Sequence, residues 1–277
     1  MVPREVHVNS VTIGGNRPLV LMAGPCVIED EEVILRIAKG IKEIASTVGM
    51  DLIFKSSYDK ANRSSLHSYR GPGLDEGLRI LRRIKEELDL PLLSDVHRFE
   101  EIEKASALLD VIQIPAFLSR QTDFIMEVAK TGKTINIKKG PFLAPWDMRN
   151  VIEKVTFTGN ENLLLTERGT TFGYNNLVSD MRSLVIMRSF GYPIVYDATH
   201  SVQLPGAGGD RSGGHRELVP ELARAAAATG IDALFIEVHE DPSRALCDGS
   251  NSVSLDVIGS FLTQVKEIDR IVKNGGS

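Results

Sequence analysis

The stretch Phe54-Lys55-Ser56-Ser57-Tyr58-Asp59-Lys60-Ala61-Asn62-Arg63-Ser64-Ser65 packs two lysines, an arginine, an asparagine and a run of hydroxyls directly behind the apolar Leu52-Ile53-Phe54. Lysine offers a compact charge, arginine a planar fork that matches phosphate or carboxylate oxygens, and Ser and Asn neutral donors. Such a loop is suited to anions. By itself it also fits a solvated surface turn, so the choice depends on what the rest of the chain brings to it.

Similar polar clusters end nearly every short apolar run in the chain. They are Gly24-Pro25-Cys26, Asp95-Val96-His97, Gln113 with Pro115-Ala116, Lys138-Lys139, Glu167-Arg168, Asp197 with Thr199-His200, and Glu237 with His239. The runs themselves are Leu19 to Ala23, Leu52 to Phe54, Pro91 to Leu93, Val111 to Ile114, Thr134 to Ile137, Leu163 to Leu165, Pro193 to Tyr196 and Ala233 to Ile236. Between most of them lie stretches of helical period, for example Glu31 to Val48, Leu74 to Leu88, Val151 to Val155, Arg216 to Thr229 and Leu255 to Val272. Alternating strand and helix predicts a parallel sheet. The count of runs predicts a single α/β domain over residues 1–277, a (β/α)8 TIM barrel, with a hairpin in residues 1–16 ahead of it. A doubly wound sheet would carry Gly-x-Gly-x-x-Gly after its first strand, and that motif is missing. In a barrel the strand ends meet at one face, so the clusters are expected to converge on one pocket.

Two sub-sites follow from the chemistry of those ends. One is cationic: Lys55, Lys60, Arg63, Lys138 and Arg168, with Arg120 as a further candidate. So much like charge requires anions to meet it, which points to ligands carrying phosphate and carboxylate groups. The other joins Cys26, His200, Glu237 and Asp248, a thiolate, an imidazole and carboxylates suited to a divalent transition ion with a position left open. Spacing alone does not decide the latter, because a Cys after Gly-Pro also serves as plain packing.

Composition narrows the partners. The 277 residues carry a formal charge of -5, which argues against nucleic acid or an anionic membrane as the main partner, and no run approaches a membrane span. No basic start followed by an apolar core marks a leader, so a cytoplasmic location is expected. Cys26 and Cys247 lie far apart in a chain too large to need stapling, which argues against a structural disulfide. Glycines in Gln203 to Gly214 suit a lid.

Ala23-Gly24-Pro25-Cys26, the Phe54 to Ser65 loop, Ile112-Gln113-Ile114-Pro115-Ala116-Phe117-Leu118, Lys138-Lys139-Gly140, Leu143-Ala144-Pro145-Trp146-Asp147, Thr166 to Tyr174 and Tyr196 to Gly206 together resemble 3-deoxy-D-manno-octulosonate 8-phosphate synthases. The resemblance runs in order from about Val20 to the last helix. It implies a barrel that condenses phosphoenolpyruvate with D-arabinose 5-phosphate and water, releasing inorganic phosphate, on the way to the lipopolysaccharide sugar Kdo. It implies that Lys60, Lys138 and Arg168 hold phosphoenolpyruvate, with Lys55, Gln113 and Ala116 close by. Asn62, Arg63 and Ser64 would meet the aldose phosphate, His97 would line the pocket, and Arg120 would reach in from a neighbouring subunit of a homotetramer.

Cys26 resembles the metal-dependent branch of that family, implying a divalent ion (Zn, Fe or Mn) on Cys26, His200, Glu237 and Asp248. Lys138 is then an anion ligand in the reaction and not a Schiff-base nucleophile, although a lysine aldolase stays open. Cys247-Asp248-Gly249 resembles the metal-independent branch instead. A synthase using erythrose 4-phosphate and a non-catalytic sugar-phosphate-binding barrel are the alternatives. The first is disfavoured by Lys60-Ala61-Asn62-Arg63, where such enzymes read Lys-Pro-Arg-Thr.

Overall fold

A computed structural model describes residues 2–63, 65–206 and 213–275. Eight parallel strands close on themselves: β1 Val20–Gly24, β2 Leu52–Lys55, β3 Leu92–Asp95, β4 Val111–Ile114, β5 Thr134–Lys138, β6 Leu163–Glu167, β7 Ile194–Asp197 and β8 Ala233–His239. Closure is made where β8 pairs with both β7 and β1. Among the described residues the α-helices are α1 Glu31–Val48, α2 Leu74–Leu88, α3 Phe99–Leu108, α4 Thr122–Ala129, α5 Met148–Thr156, α6 Met181–Arg188, α7 Val219–Ala228 and α8 Leu255–Asn274. This is the (β/α)8 barrel expected from the alternation of runs.

Strand parity sorts the side chains. On β1, Val20 and Met22 point inward and share a cluster with Ile53, Leu93, Val111, Leu164, Val195, Ala233 and Phe235. Leu21 and Ala23 point outward, against Ile34, Ile37 and Ala38 of α1 and the other helices. Each helix buries one apolar stripe. On α1 that stripe is Ile34, Leu35, Ile37, Ala38, Ile41 and Ala45, started by Asp30, whose carboxylate caps Glu32 and Val33 N–H, and stopped by Gly49 in the left-handed region.

The N-terminal hairpin, Val6–Val8 with Val11–Ile13, buries Val6, Val8, Val11 and Ile13 in the same inner cluster. It therefore belongs to the barrel interior and not to the helical layer. Deep packing leaves the opposite, carboxyl end of the strands for polar side chains.

Candidate active site

Stepping by two residues up each strand from the inner cluster brings the same parity to the carboxyl end: Gly24, Lys55, Asp95, Gln113, Lys138, Thr166, Asp197 and Glu237. The register agrees, since Gln113 and Leu164 both lie opposite Asn136, two residues before Lys138. Seven of these eight are polar, all buried, and they form the top inward layer of the barrel. Gly24 is the exception for a steric reason: a Cβ there would lie 1.9 Å from the Lys55 carbonyl oxygen. Its missing side chain lets the β2 backbone end where Lys55 can turn inward.

A pocket of about 380 Å³ opens above that layer. Its wall includes Lys55, Lys60, Asn62, Arg63, Gln113, Ala116, Lys138, Arg168, His200 and Asp248, ten residues singled out from sequence. Glu237 lies beneath them, completely buried, with the ammonium of Lys55 at 3.1 Å and that of Lys60 at 3.7 Å. Cys26 stands behind Asp248, its Sγ 3.6 Å from Asp248 Oδ2.

Two expected residues lie elsewhere and a third falls outside the described residues. His97 is not in the pocket wall among the described residues; it is partly buried, with Nε2 2.8 Å from Asp95 and Nδ1 3.6 Å from Glu101. Arg120 is exposed outside this pocket, and Ser64 falls outside the described residues. The ends of the Gln203 to Gly214 segment form a small antiparallel ladder at the pocket rim, and residues 207–212 lie outside the described residues.

The sequence reading named the Asp95 and Asp197 clusters but gave neither carboxylate a role. Both belong to the wall. Asp197 pairs with Lys138, lies 2.7 Å from His200 Nδ1, and accepts the His200 backbone N–H at 2.9 Å. Asp95 accepts from Ser57 and from His97. Parity alone could have found them, because each stands two residues beyond an inward apolar side chain. Phe235, the floor of the site, was hidden by looking like ordinary core: Lys138 Nζ is 3.4 Å and Lys55 Nζ 5.4 Å from its ring centroid.

Burial and charge compete throughout. Burial lowers Lys138 to about 8, even though Asp197 opposes the shift. Lys60 is lowered by burial and by neighbouring Lys55, and burial also lowers Arg168. Burial would likewise lower Lys55, but Glu237 and Asp95 outweigh it and raise the group. Burial would raise Glu237, yet His200, Lys55 and Lys60 hold it down at about 2. The pocket is therefore a set of confined cations only partly matched by carboxylates.

The loop after β2 is fastened from below. Tyr58 Oη donates to Glu101 at 2.9 Å, the Lys60 backbone N–H to Arg70 at 2.7 Å, and Arg63 Nε to the Tyr69 carbonyl at 3.2 Å. These bonds fix the backbone that presents Lys60, Asn62 and Arg63.

The four candidate metal ligands come together in two overlapping groups. His200, Glu237 and Asp248 form one, and Cys26, Cys247 and Asp248 the other, with ligand atoms in each group within 4.8 Å of one another. His200 Nε2 lies 3.7 Å from Glu237 and 3.9 Å from Asp248, while Asp197 occupies its other ring nitrogen. Carboxylate behind imidazole is the arrangement that orients metal-binding histidines. Glu237 Oε2 and Asp248 Oδ1 are buried without hydrogen-bond partners among the described residues. Asp248 also adopts a left-handed backbone, φ 46°, aiming its carboxylate inward. Orphaned oxygens, a free imidazole nitrogen and a nearby sulfur fit a divalent transition ion.

The sulfurs of Cys26 and Cys247 are in contact, with Cα atoms 6.1 Å apart, a juxtaposition not expected from sequence. Sequence separation hid this because the barrel closes between β8 and β1, bringing the loops after both strands side by side.

Fold and site thus define a (β/α)8 barrel with a cation-lined pocket at the carboxyl ends of its strands and a candidate metal centre in its wall. The chain belongs to the DAHP synthetase I family, whose model matches residues 3–274. It is 61% identical over 270 residues to the 2-dehydro-3-deoxyphosphooctonate aldolase of Trichlorobacter lovleyi, covering 98% of this chain and 99% of the relative. Proteins of the same name from Geobacter sulfurreducens and Geotalea daltonii are 60% and 61% identical over the same share of each chain.

Proposed function

We propose that this chain condenses phosphoenolpyruvate with D-arabinose 5-phosphate and water, giving 3-deoxy-D-manno-octulosonate 8-phosphate and inorganic phosphate. The observation that carries the reading is the gathering of Lys60, Lys138 and Arg168 in one wall with Asn62 and Arg63. Near-full-length relatives bearing the aldolase name support the same reaction.

In this reading Lys60, Lys138 and Arg168 hold the carboxylate and phosphate of phosphoenolpyruvate, with Lys55, Gln113 and Ala116 around it. Asn62, Arg63 and Ser64 hold the phosphate of the aldose. C3 of phosphoenolpyruvate attacks the aldehyde carbon, water oxygen adds at C2, and phosphate leaves with the bridging oxygen. Negative charge grows on the aldehyde oxygen as its carbonyl opens. Fixed cations in a closed site stabilise such charge far better than water does, each at ~4 Å contributing about 4 kcal/mol at an effective dielectric near 20.

A divalent ion held by Cys26, His200, Glu237 and Asp248 would supply Lewis acidity toward that oxygen. Asp197 steadies both His200 and Lys138 and so ties the candidate metal centre to the anion site. Exposed Phe117, Phe142, Trp146 and Phe172, on the loops after β4, β5 and β6, favour a covering copy of the chain, in keeping with a homotetramer in which Arg120 reaches a neighbouring pocket. Among the described residues no helix is long and apolar enough to cross a membrane, which suits a cytoplasmic enzyme.

The test is phosphate release from phosphoenolpyruvate with arabinose 5-phosphate or erythrose 4-phosphate, with and without chelator. Release with arabinose 5-phosphate, lost on chelation and restored by an added divalent ion, is expected. Release with erythrose 4-phosphate alone refutes the substrate; turnover that survives exhaustive chelation refutes the metal.

A further inference from the structure

Cys26 has two partners. One is the carboxylate and imidazole group around Asp248; the other is Cys247, which shares a small buried cluster with Cys26, Val27 and the partly buried Tyr69. The two cysteines are 4% and 3% exposed and their Cα atoms 6.1 Å apart, within the range a disulfide needs without backbone movement. Their loops are tied independently of the sulfurs. Glu29 accepts the Leu246 backbone N–H at 2.7 Å, and Arg63 lies 3.6 Å from Asp248. The geometry therefore holds Cys247 at Cys26 whichever form the sulfurs take.

We infer that Cys26 and Cys247 form a reversible oxidation site in which Cys247 resolves an oxidised Cys26, and that the cross-link and a bound ion exclude each other. One sulfur cannot at once bond to Cys247 and act as a thiolate ligand, because metal binding requires the deprotonated thiol. The oxidant is a peroxide. The Cys26 thiolate attacks one peroxide oxygen and the O–O bond breaks, giving a sulfenic acid and water after proton uptake. The Cys247 thiol then attacks that sulfur, the S–O bond breaks, and a second water leaves. Two thiols and one hydrogen peroxide thus give one disulfide and two waters. A disulfide of this kind in a chain with ample core is a redox device rather than a staple.

The ion half of the inference rests on the proposed metal reading; the cross-link half does not. The experiment uses the full chain, reduced, prepared metal-free and loaded with zinc, and exposes both to hydrogen peroxide. Peptide mapping follows the Cys26–Cys247 link and a chromophoric chelator follows released zinc. In metal-free protein the link forms and dithiothreitol reverses it. With zinc at ~100 times its dissociation constant, link formation is about 100-fold slower, since only the vacant fraction reacts. Zinc leaves in step with the link, one ion per cross-link. C247S, with C247A as a second variant, binds zinc as tightly as the parent and forms no link. A metal-free chain that never links refutes the inference, as does a link formed with zinc retained. C247S and C247A that no longer bind zinc make Cys247 a ligand and also overturn it. A reduced chain that takes up no divalent ion refutes the metal reading, and with it the exclusion, by a separate readout.

Discussion

Lys138 carries its ammonium 3.4 Å above the ring centroid of Phe235, in contact with Asp197. The ring face attracts the cation, which stands two residues above Asn136 on its own strand. A side chain that reads as barrel core therefore sets the height of the anion site. F235L keeps an apolar filler but removes the ring. It is expected to lower kcat/KM for phosphoenolpyruvate by up to about 30-fold, the equivalent of a desolvated cation–ring contact of about 2 kcal/mol, and to lower Tm by only a few degrees. Unchanged kinetics with a lowered Tm would reduce Phe235 to packing.

Lys138 also sets a pH limit. Burial lowers it to about 8, so above that pH the pocket loses a cation proposed to hold phosphoenolpyruvate. kcat/KM for phosphoenolpyruvate should fall about tenfold per pH unit above the limit. K138R, whose guanidinium stays charged, should lower kcat/KM but remove the descent. A descent that persists in K138R belongs to another group.

His97 contributes stability rather than pocket wall. Burial would lower it, but Asp95 and Glu101 outweigh burial and raise it from 6.5 to about 9. A raised folded pKa stabilises fully below pH 6.5, where both states are protonated, and the contribution drains away between 6.5 and about 9. The loss is ~3 kcal/mol at most. H97Q should flatten the fall in Tm across that window; an identical slope in parent and variant would refute the assignment.

Gly24 admits no side chain, since a Cβ would meet the Lys55 carbonyl at 1.9 Å. G24A should cost about 1–3 kcal/mol in denaturant unfolding, typical of overpacking, and raise KM by displacing Lys55. An active G24A of parental stability would show that β2 can shift freely.

Much of this was legible before folding. Helices α1 and α2 begin and end where periodicity and end residues place them, at Glu31 and Val48, and at Leu74 and Leu88. Strands were read too short at their carboxyl ends, stopping at Phe54, Leu93, Ile137, Tyr196 and Ile236. The ladder continues through Lys55, Asp95, Lys138, Asp197 and Glu237, because backbone pairing is indifferent to side-chain polarity. Those residues form the polar layer beneath the pocket. The position of His97 outside the pocket wall was not legible for a related reason: it lies beyond the end of β3, where strand parity no longer says which way a side chain turns. Cys247 carried no signal, since only closure of β8 on β1 brings it to Cys26.

The central claim is that two anionic metabolites are joined in one pocket with cleavage of the C–O bond of phosphoenolpyruvate. Phosphoenolpyruvate labelled with heavy oxygen at the bridging position tests it most directly, by mass spectrometry of the released phosphate with and without arabinose 5-phosphate. The account predicts label in the phosphate, released only when the aldose is present. Label left on the organic product, or phosphate freed equally without the aldose, would contradict it.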